Sequence, residues 1–271
     1  MDRPSPRTLI GLILTAFFAV GCAASQRSLA PSSEATTFGS CDPVPCAKVA
    51  TQDLPRLSES IPEEVRELIY SQVDAILYAP LDESAGAPSR GTFLQSVQSQ
   101  FAEYLDLRPS DAPSEWEVTR TASLLTADDG VVSVKLSSEG FVGGAHGFHD
   151  ERLISFDTTT GKALSWDDLV GQGSRVPLLR VAEAEFRKVK NVPLSDSLRE
   201  AGFEFPDGSE FALPSNFAVT REGLRLHYNP YEIAPYVMGP TDLVIPPGVA
   251  SGVLRSDLPA LAVLRDSDTL S

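Results

Sequence analysis

The chain has 271 residues, a formal net charge of −15 and a sequence pI near 4.6. Its length allows one large or two modest domains plus a leader, and 42% hydrophobic with 22% charged residues is ordinary for a globular protein. The acidic balance argues against nucleic acid, which selects a basic surface, and favours a cationic or neutral partner. Acidity also keeps many secreted proteins soluble, so it names no function by itself.

The N-terminus predicts a lipoprotein signal peptide over residues 1–21. Arg3 and Arg7 precede an uncharged apolar run at 9–20, which is too short to span about 30 Å of hydrocarbon as a helix. The run leads to small residues directly before Cys22, a pattern that resembles the lipobox of bacterial lipoproteins. We therefore expect cleavage before Cys22 and a lipid on its sulfur that binds the membrane; ordinary secretory cleavage nearby is the alternative.

Residues 22–46 are predicted to form a flexible tether, because Ala, Ser, Thr, Pro and Gln dominate this stretch. Cys41 and Cys46 would meet an oxidising environment after export, so a local disulfide is expected between them. A metal at these cysteines would need further ligands, and no His lies close in sequence. The expected location is the cell envelope, on the periplasmic side, at the outer membrane if the host has two membranes.

Residues 47–156 are predicted to form an N-terminal α+β lobe. A first strand is followed by two amphipathic helices, the first with Ser60 as its cap and Pro62 in its first turn. The apolar period then changes to two, and Asp-Asp-Gly at 128–130 between alternating runs predicts a hairpin. The predicted strands cover residues 48–57, 116–127, 131–141 and 152–156.

Residues 157–271 are predicted to form a C-terminal α+β lobe. Ser165 and Asp168 stand at capping-box spacing at the start of a short helix. Further predicted helices lie at 178–189 and 195–201, and a second hairpin turns at Glu222-Gly223 before a strand at 243–245 and a helical tail. The fold class is therefore α+β, with two lobes that each pack helices on an antiparallel sheet.

Three motifs carry a resemblance to a bacterial extracytoplasmic family. They are Gly-Gly-Ala-His-Gly at 143–147, Phe-Asp-Thr-Thr-Thr-Gly-Lys at 156–162 running into Ser-Trp-Asp-Asp-Leu at 165–169, and Asn-Pro-Tyr-Glu-Ile-Ala-Pro-Tyr at 229–236. The chain resembles, over about 48–264, the paired domains of unknown function in the ectodomain of a lysozyme-sensing anti-sigma factor. The same pair is similar to the N-terminal, non-catalytic part of a peptidoglycan deacetylase. The resemblance implies two α+β lobes and a lysozyme-binding region, but neither signalling nor deacetylation is expected to transfer.

The motif residues are the candidate ligand-binding residues. His146 and His149 stand three apart, but zinc usually needs three or four convergent ligands and the third histidine, His227, is distant in sequence. The sequence therefore predicts neither a metal nor a cofactor, and a histidine hydrogen-bonded to backbone is the structural alternative for His146. Tyrosines after the second hairpin either lie on the sheet or form an aromatic binding surface. The candidates are His146, His149, Tyr228, Tyr231, Glu232 and Tyr236.

No catalytic motif is recognisable, since the chain has no nucleophile elbow, phosphate loop or His-Glu-x-x-His. Paired carboxylates on predicted helix surfaces are explained by solvation. A non-catalytic envelope protein that binds a basic lysozyme-like muramidase, or peptidoglycan itself, is therefore expected. The alternative is an envelope hydrolase or glycan-processing enzyme using His146 and nearby carboxylates.

Overall fold

The computed structural model describes residues 27–28, 30–41, 45–109, 112–171 and 175–266. The predicted signal peptide and Cys22 lie outside these residues. Among the described helices, none is both long and apolar enough to cross a membrane. A disulfide links Cys41 to Cys46, as the sequence predicts.

The N-terminal lobe is a five-stranded sheet in the order β1-β2-β3-β4-β5. Its strands are β1 (Ser33–Gly39), β2 (Cys46–Gln52), β3 (Glu115–Asp128), β4 (Val131–Phe141) and β5 (Phe148–Asp157). Neighbours are antiparallel except β2 and β3, which are parallel because the chain between them crosses over through two helices. Those helices are α1 (Glu63–Leu77) and α2 (Arg90–Leu107).

Strand β1 corrects the predicted tether, because part of residues 22–46 belongs to the sheet. Its Ala-Thr-Thr composition is typical of a flexible stalk, yet the strand pairs antiparallel with β2 along its whole length. Phe38 packs against the core of the N-terminal lobe, which gives this edge strand an apolar anchor. The predicted cap of α1 also differs: the helix begins after Pro62 with no side-chain cap, and the Ser60 hydroxyl bonds Ser58 instead.

The C-terminal lobe is a three-stranded antiparallel sheet in the order β6-β7-β8. Its strands are β6 (Asn216–Thr220), β7 (Gly223–Tyr228) and β8 (Thr241–Ile245), and its helices are α3 (Trp166–Val170), α4 (Val176–Lys190), α5 (Pro247–Val253) and α6 (Ala262–Asp266). The capping box of Ser165 and Asp168 is confirmed at α3. The α+β class, with helices on two antiparallel-rich sheets, is also confirmed.

The predicted helix at 195–201 is wrong; this stretch consists of turns. Arg187, buried at the end of α4, donates from one guanidinium nitrogen to the carbonyls of Pro193 and Asp196, each at 2.9 Å. Because these carbonyls are held by a side chain, the chain wraps around Arg187 rather than winding into a helix.

Buried side chains join the two sheets between β4, β5 and β6. Ser133 donates to the carbonyl of Val219 at 2.5 Å, and Ser155 accepts from the amide of Val219 at 2.8 Å. The two hydroxyls lie 2.7 Å apart, so the remaining Ser155 proton is directed at Ser133. Asn216 extends the row by accepting from the amide of Leu153 at 2.5 Å. We call Ser133, Ser155, Asn216 and Val219 the seam.

Candidate functional site

Three aromatic side chains from two distant loops meet on the surface, and we call His146, Tyr231 and Tyr236 the aromatic patch. The His146 ring stacks on Tyr236 with centroids 4.2 Å apart and planes 19° from parallel. Tyr231 and Tyr236 have centroids 5.4 Å apart. The structure thus brings together three of the six candidate residues, although His146 lies 85 and 90 positions before the two tyrosines in sequence.

Hydrogen bonds fix His146 in one tautomer. Its Nδ1 lies 2.6 Å from the carbonyl oxygen of Gly147 and must donate to it, which leaves Nε2 to accept from the Tyr231 hydroxyl at 3.3 Å. The Tyr236 hydroxyl donates to the same Gly147 carbonyl at 3.3 Å. The structural alternative for His146, a hydrogen bond to backbone, is therefore present, and its ring also stacks on Tyr236.

The loop holds Tyr231 in an unusual conformation. Its φ is 68°, in the left-handed region that bulky residues rarely adopt, while 64% of the residue is exposed. Glu232 supports the turn by accepting from the amide of Asn229 at 2.8 Å through its carboxylate. Glu232 therefore shapes the loop that presents the ring. Strained backbone of this kind concentrates at functional sites.

Two apolar side chains that directly follow Tyr236 in the chain are also exposed. Val237 is 91% exposed and Met238 is 37% exposed. A cleft of about 520 Å³ borders Tyr231 and is lined also by Arg199, Glu204 and the segment 232–235. This volume falls within the range of ordinary ligand sites, about 300–1,000 Å³.

Tyr228 is not part of this surface, which corrects the sequence interpretation. It is only 1% exposed, and its hydroxyl donates to the carbonyl of Ala212 at 2.6 Å. Burial raises the pKa of its hydroxyl. Tyr228 also packs edge-on against Phe186 and Phe205, so it belongs to the core of the C-terminal lobe.

His149 also lies apart from the patch, on β5 opposite Glu139 of β4. Its Nδ1 is 3.4 Å from Glu139 and its Nε2 is 3.7 Å from Glu151. Glu151, which His149 contacts, belongs to a second group of charged residues.

That second group contains Glu151 of β5, His227 of β7 and Asp242 of β8. Nδ1 of His227 lies 3.1 Å from Asp242, and the ring is only 1% exposed. Burial lowers the pKa of His227. The hydrogen bond and charge of Asp242 act in the opposite direction, and Asn229 and Glu151 add smaller contributions. Together they outweigh burial, so the pKa of His227 is raised. The same hydrogen bond lowers the pKa of Asp242.

Sequence reasoning missed this group because its members come from three strands. His227 is distant in sequence from the other histidines, yet antiparallel pairing places it opposite Asp242, and the packing of β7 beside β5 brings it to Glu151. Alternation within β7 and β8 was visible in the sequence, but the contact between the two sheets was not. Only the fold identifies the third member.

The fold and its surface define a two-lobed α+β protein with an exposed aromatic patch. Residues 167–247 match the family model described as "Protein of unknown function (DUF3298)", so the chain carries a DUF3298 domain. The match includes the loop that bears Tyr231 and Tyr236.

Known proteins share this fold. A crystal structure of a DUF3298 family member from Bacteroides fragilis NCTC 9343 has a TM-score of 0.65 and 17% identity, covering 89% of this chain and 100% of the other. A DUF3298 family protein from Pseudomonas aeruginosa PAO1 has a TM-score of 0.61 and 22% identity, with 84% and 94% covered. The chain is also 24% identical over 126 residues to the peptidoglycan-N-acetylmuramic acid deacetylase PdaC of Bacillus subtilis (strain 168). That alignment covers 46% of this chain but only 26% of the deacetylase.

Proposed function

We propose that this chain is a non-catalytic binding protein of the cell envelope that holds a basic, lysozyme-like muramidase at its aromatic patch. The observation that carries the proposal is the convergence of His146, Tyr231 and Tyr236 on one exposed surface. The similarity to a peptidoglycan deacetylase supports a place in the envelope. The resemblance to a lysozyme-sensing ectodomain supports the class of partner.

The chemistry of the surface suits a protein partner. Tyrosine supplies a large, rigid contact area with a polar end, which is why it is frequent among the residues that dominate interface energies. The exposed Val237 and Met238 extend the apolar area. The net charge of −15 would attract a basic partner over long range and raise its association rate.

The surroundings of His146 favour binding over hydrolysis. Its ring nitrogens contact the Gly147 carbonyl and the Tyr231 hydroxyl, and no carboxylate is among its described hydrogen-bond partners. A general base in a hydrolase needs its proton-accepting nitrogen directed at a substrate and is commonly oriented by a third group. We therefore expect that neither the unaltered protein nor His146→Ala degrades purified sacculi. Turnover of sacculi that disappears in this variant would instead support the hydrolase.

A second candidate ligand is peptidoglycan itself. The cleft of about 520 Å³ beside Tyr231 favours it, because a cleft of this size accepts a small saccharide more readily than a protein loop. The deacetylase to which the chain is similar acts, by its name, on peptidoglycan N-acetylmuramic acid.

Titration against lysozymes of several classes tests the proposal. We expect a complex that weakens as salt is added, since screening shortens electrostatic reach to about 8 Å at physiological ionic strength. Tyr231→Ala should cost on the order of 2 kcal/mol of binding free energy if the ring is a buried anchor of the interface. Leu107→Ala, which truncates a side chain that is 76% exposed at the end of α2, is the matched control and should bind like the unaltered protein.

The outcomes separate the two ligands. Lysozyme binding that Tyr231→Ala weakens supports the proposal. Failure to bind any lysozyme class in low salt, together with Tyr231-dependent retention on purified sacculi, would transfer the proposal to peptidoglycan. Binding that neither variant changes would place the interface outside the aromatic patch.

We further propose that a lipid on Cys22 anchors the protein. Several acyl chains on one residue bind membranes firmly, because each buried methylene contributes about 0.8 kcal/mol. Cys22→Ser should leave uncleaved precursor or release soluble protein, while the unaltered protein partitions into detergent. Unaltered protein found wholly in the aqueous phase would exclude the anchor.

A further inference from the structure

The group of Glu151, His227 and Asp242 has the donor atoms of a metal site. One oxygen or nitrogen atom from each of Glu151, His227 and Asp242 lies within 4.8 Å of the others. Nδ1 of His227 is 3.1 Å from Asp242 Oδ1 and 3.9 Å from Glu151 Oε2. An imidazole nitrogen with two carboxylates is a ligand set that Zn²⁺ and related divalent ions accept.

Hydrogen bonds to Asn229 determine which way the His227 ring presents its nitrogens. The Glu151 amide donates to Asn229 Oδ1 at 2.8 Å, and Asn229 Nδ2 donates to the Glu151 carbonyl at 2.9 Å. The amide of Asn229 therefore cannot be flipped, and its Oδ1 faces His227 Nε2 at 3.1 Å. Nε2 must carry a proton and donate.

The other nitrogen, Nδ1, consequently faces two carboxylates. Without a cation there, its lone pair would oppose the lone pairs of Asp242 and Glu151, so this position requires either a proton or a metal ion. A histidine whose second N–H is held by an oxygen acceptor is also the usual arrangement around a metal-binding imidazole.

We propose that Glu151, His227 and Asp242 bind a divalent transition-metal ion, with Zn²⁺ as the reference ion, in place of the proton on His227 Nδ1. The inference goes beyond the proposed function and does not depend on it. On binding, Nδ1 releases its proton to solvent and coordinates the ion, while the two carboxylates coordinate through Glu151 Oε2 and Asp242 Oδ1.

Neighbouring cations leave these ligand atoms accessible. Lys135 holds Glu151 at 2.9 Å through Oε1, and Ser137 donates to the same Oε1 at 3.4 Å, so neither bond occupies Oε2. Arg225 approaches Asp242 Oδ1 only to 3.7 Å, beyond hydrogen-bond distance. A cleft of about 330 Å³ borders Glu151 and Asn229.

An ion here would connect three strands at the start of the segment that carries Tyr231 and Tyr236. Its ligands lie on β5, β7 and β8, and the residue that orients His227, Asn229, begins the segment leading to Tyr231 and Tyr236. Bound metal would therefore stabilise the C-terminal sheet and the base of this loop together.

Calorimetric titration of the metal-stripped full chain with Zn²⁺, and with Co²⁺ as a spectroscopic probe, tests the proposal. We expect one ion per chain, release of a proton and a higher Tm. Asp242→Asn removes a ligand at a half-exposed position and keeps the side-chain shape. Changes to residues that merely orient ligands already weaken binding by about 10–100-fold, so this variant should lose at least as much. His146→Gln is the matched control that alters an exposed histidine, and it should retain the ion.

Three results would overturn the site. One is no binding by the unaltered chain at micromolar Zn²⁺ or Co²⁺, which would leave His227 as a structural imidazolium. Another is undiminished binding by Asp242→Asn. The third is loss of binding by His146→Gln, which would place the ion on the surface. A Zn²⁺-dependent rise in Tm that Asp242→Asn abolishes would support the site independently of calorimetry.

Discussion

Tyr231 combines an exposed ring with a backbone that does not suit it. For an L-residue the left-handed conformation costs roughly 1–2 kcal/mol. Two hydrogen bonds between Asn229 and Glu232, of 2.8 and 3.1 Å, close the turn and hold φ of Tyr231 at 68°. This conformation places the ring beside Tyr236 and His146. The position therefore carries a tyrosine although glycine would fit the backbone better.

This strain can be separated from the contribution of the ring by two substitutions. Tyr231→Gly and Tyr231→Ala both remove the ring, but only glycine relieves the left-handed backbone. Glycine recovers about 1–2 kcal/mol of strain and loses about 0.5–1 kcal/mol to its freer unfolded chain, so it should be more stable than alanine by roughly 1 kcal/mol. Urea unfolding measures the difference. Equal stabilities would mean that the loop relaxes in solution, and equal loss of ligand binding in both variants would assign recognition to the ring.

At the scale of elements, the sequence predicted those stretches whose signals are local. Strand β4 (Val131–Phe141) has the predicted bounds, because alternating apolar residues follow a turn whose Gly130 adopts a φ of 93°. The second hairpin and the cap of α3 were also predicted from adjacent residues. These features depend on turn chemistry and short-range hydrogen bonds, which a sequence displays directly.

Elements that depend on distant contacts were missed. Strand β1 forms because it pairs with β2 and because Phe38 packs against the core of the N-terminal lobe. Neither contact is visible in its Ala-Thr-rich sequence. Tyr228 was expected at the surface, yet β7 is covered on both faces, so alternation could not show which residues are exposed. The aromatic patch was predicted in part, through His146, Tyr231 and Tyr236, because their motifs pointed to loops; the His227 group was not.

At the scale of the whole molecule, the seam makes one folded unit of the two lobes. Ser133 and Ser155 are almost fully buried and bind both the amide and the carbonyl of Val219, as a neighbouring strand would. Val131 of β4 also packs in the core of the C-terminal lobe. Separating the lobes would expose these polar groups and open that core, so we infer that the lobes unfold together.

The two tryptophans provide a test, because there is one in each lobe. Trp116 lies in β3 beside Tyr104, while Trp166 starts α3 with its ring 4.1 Å from Phe217. Denaturant unfolding followed by fluorescence of Trp116→Phe and Trp166→Phe should give coincident transitions.

In both backgrounds Ser155→Ala should lower the free energy of unfolding by about 1–3 kcal/mol, since the buried Val219 amide loses its acceptor. Ser251→Ala, at an exposed hydroxyl of α5, is the control and should change it by less than about 0.5 kcal/mol. If the two single-tryptophan proteins unfold at different denaturant concentrations, the seam does not couple the lobes. If they coincide and Ser155→Ala shifts both equally, a few buried hydroxyls between β4, β5 and β6 couple the stability of the two lobes.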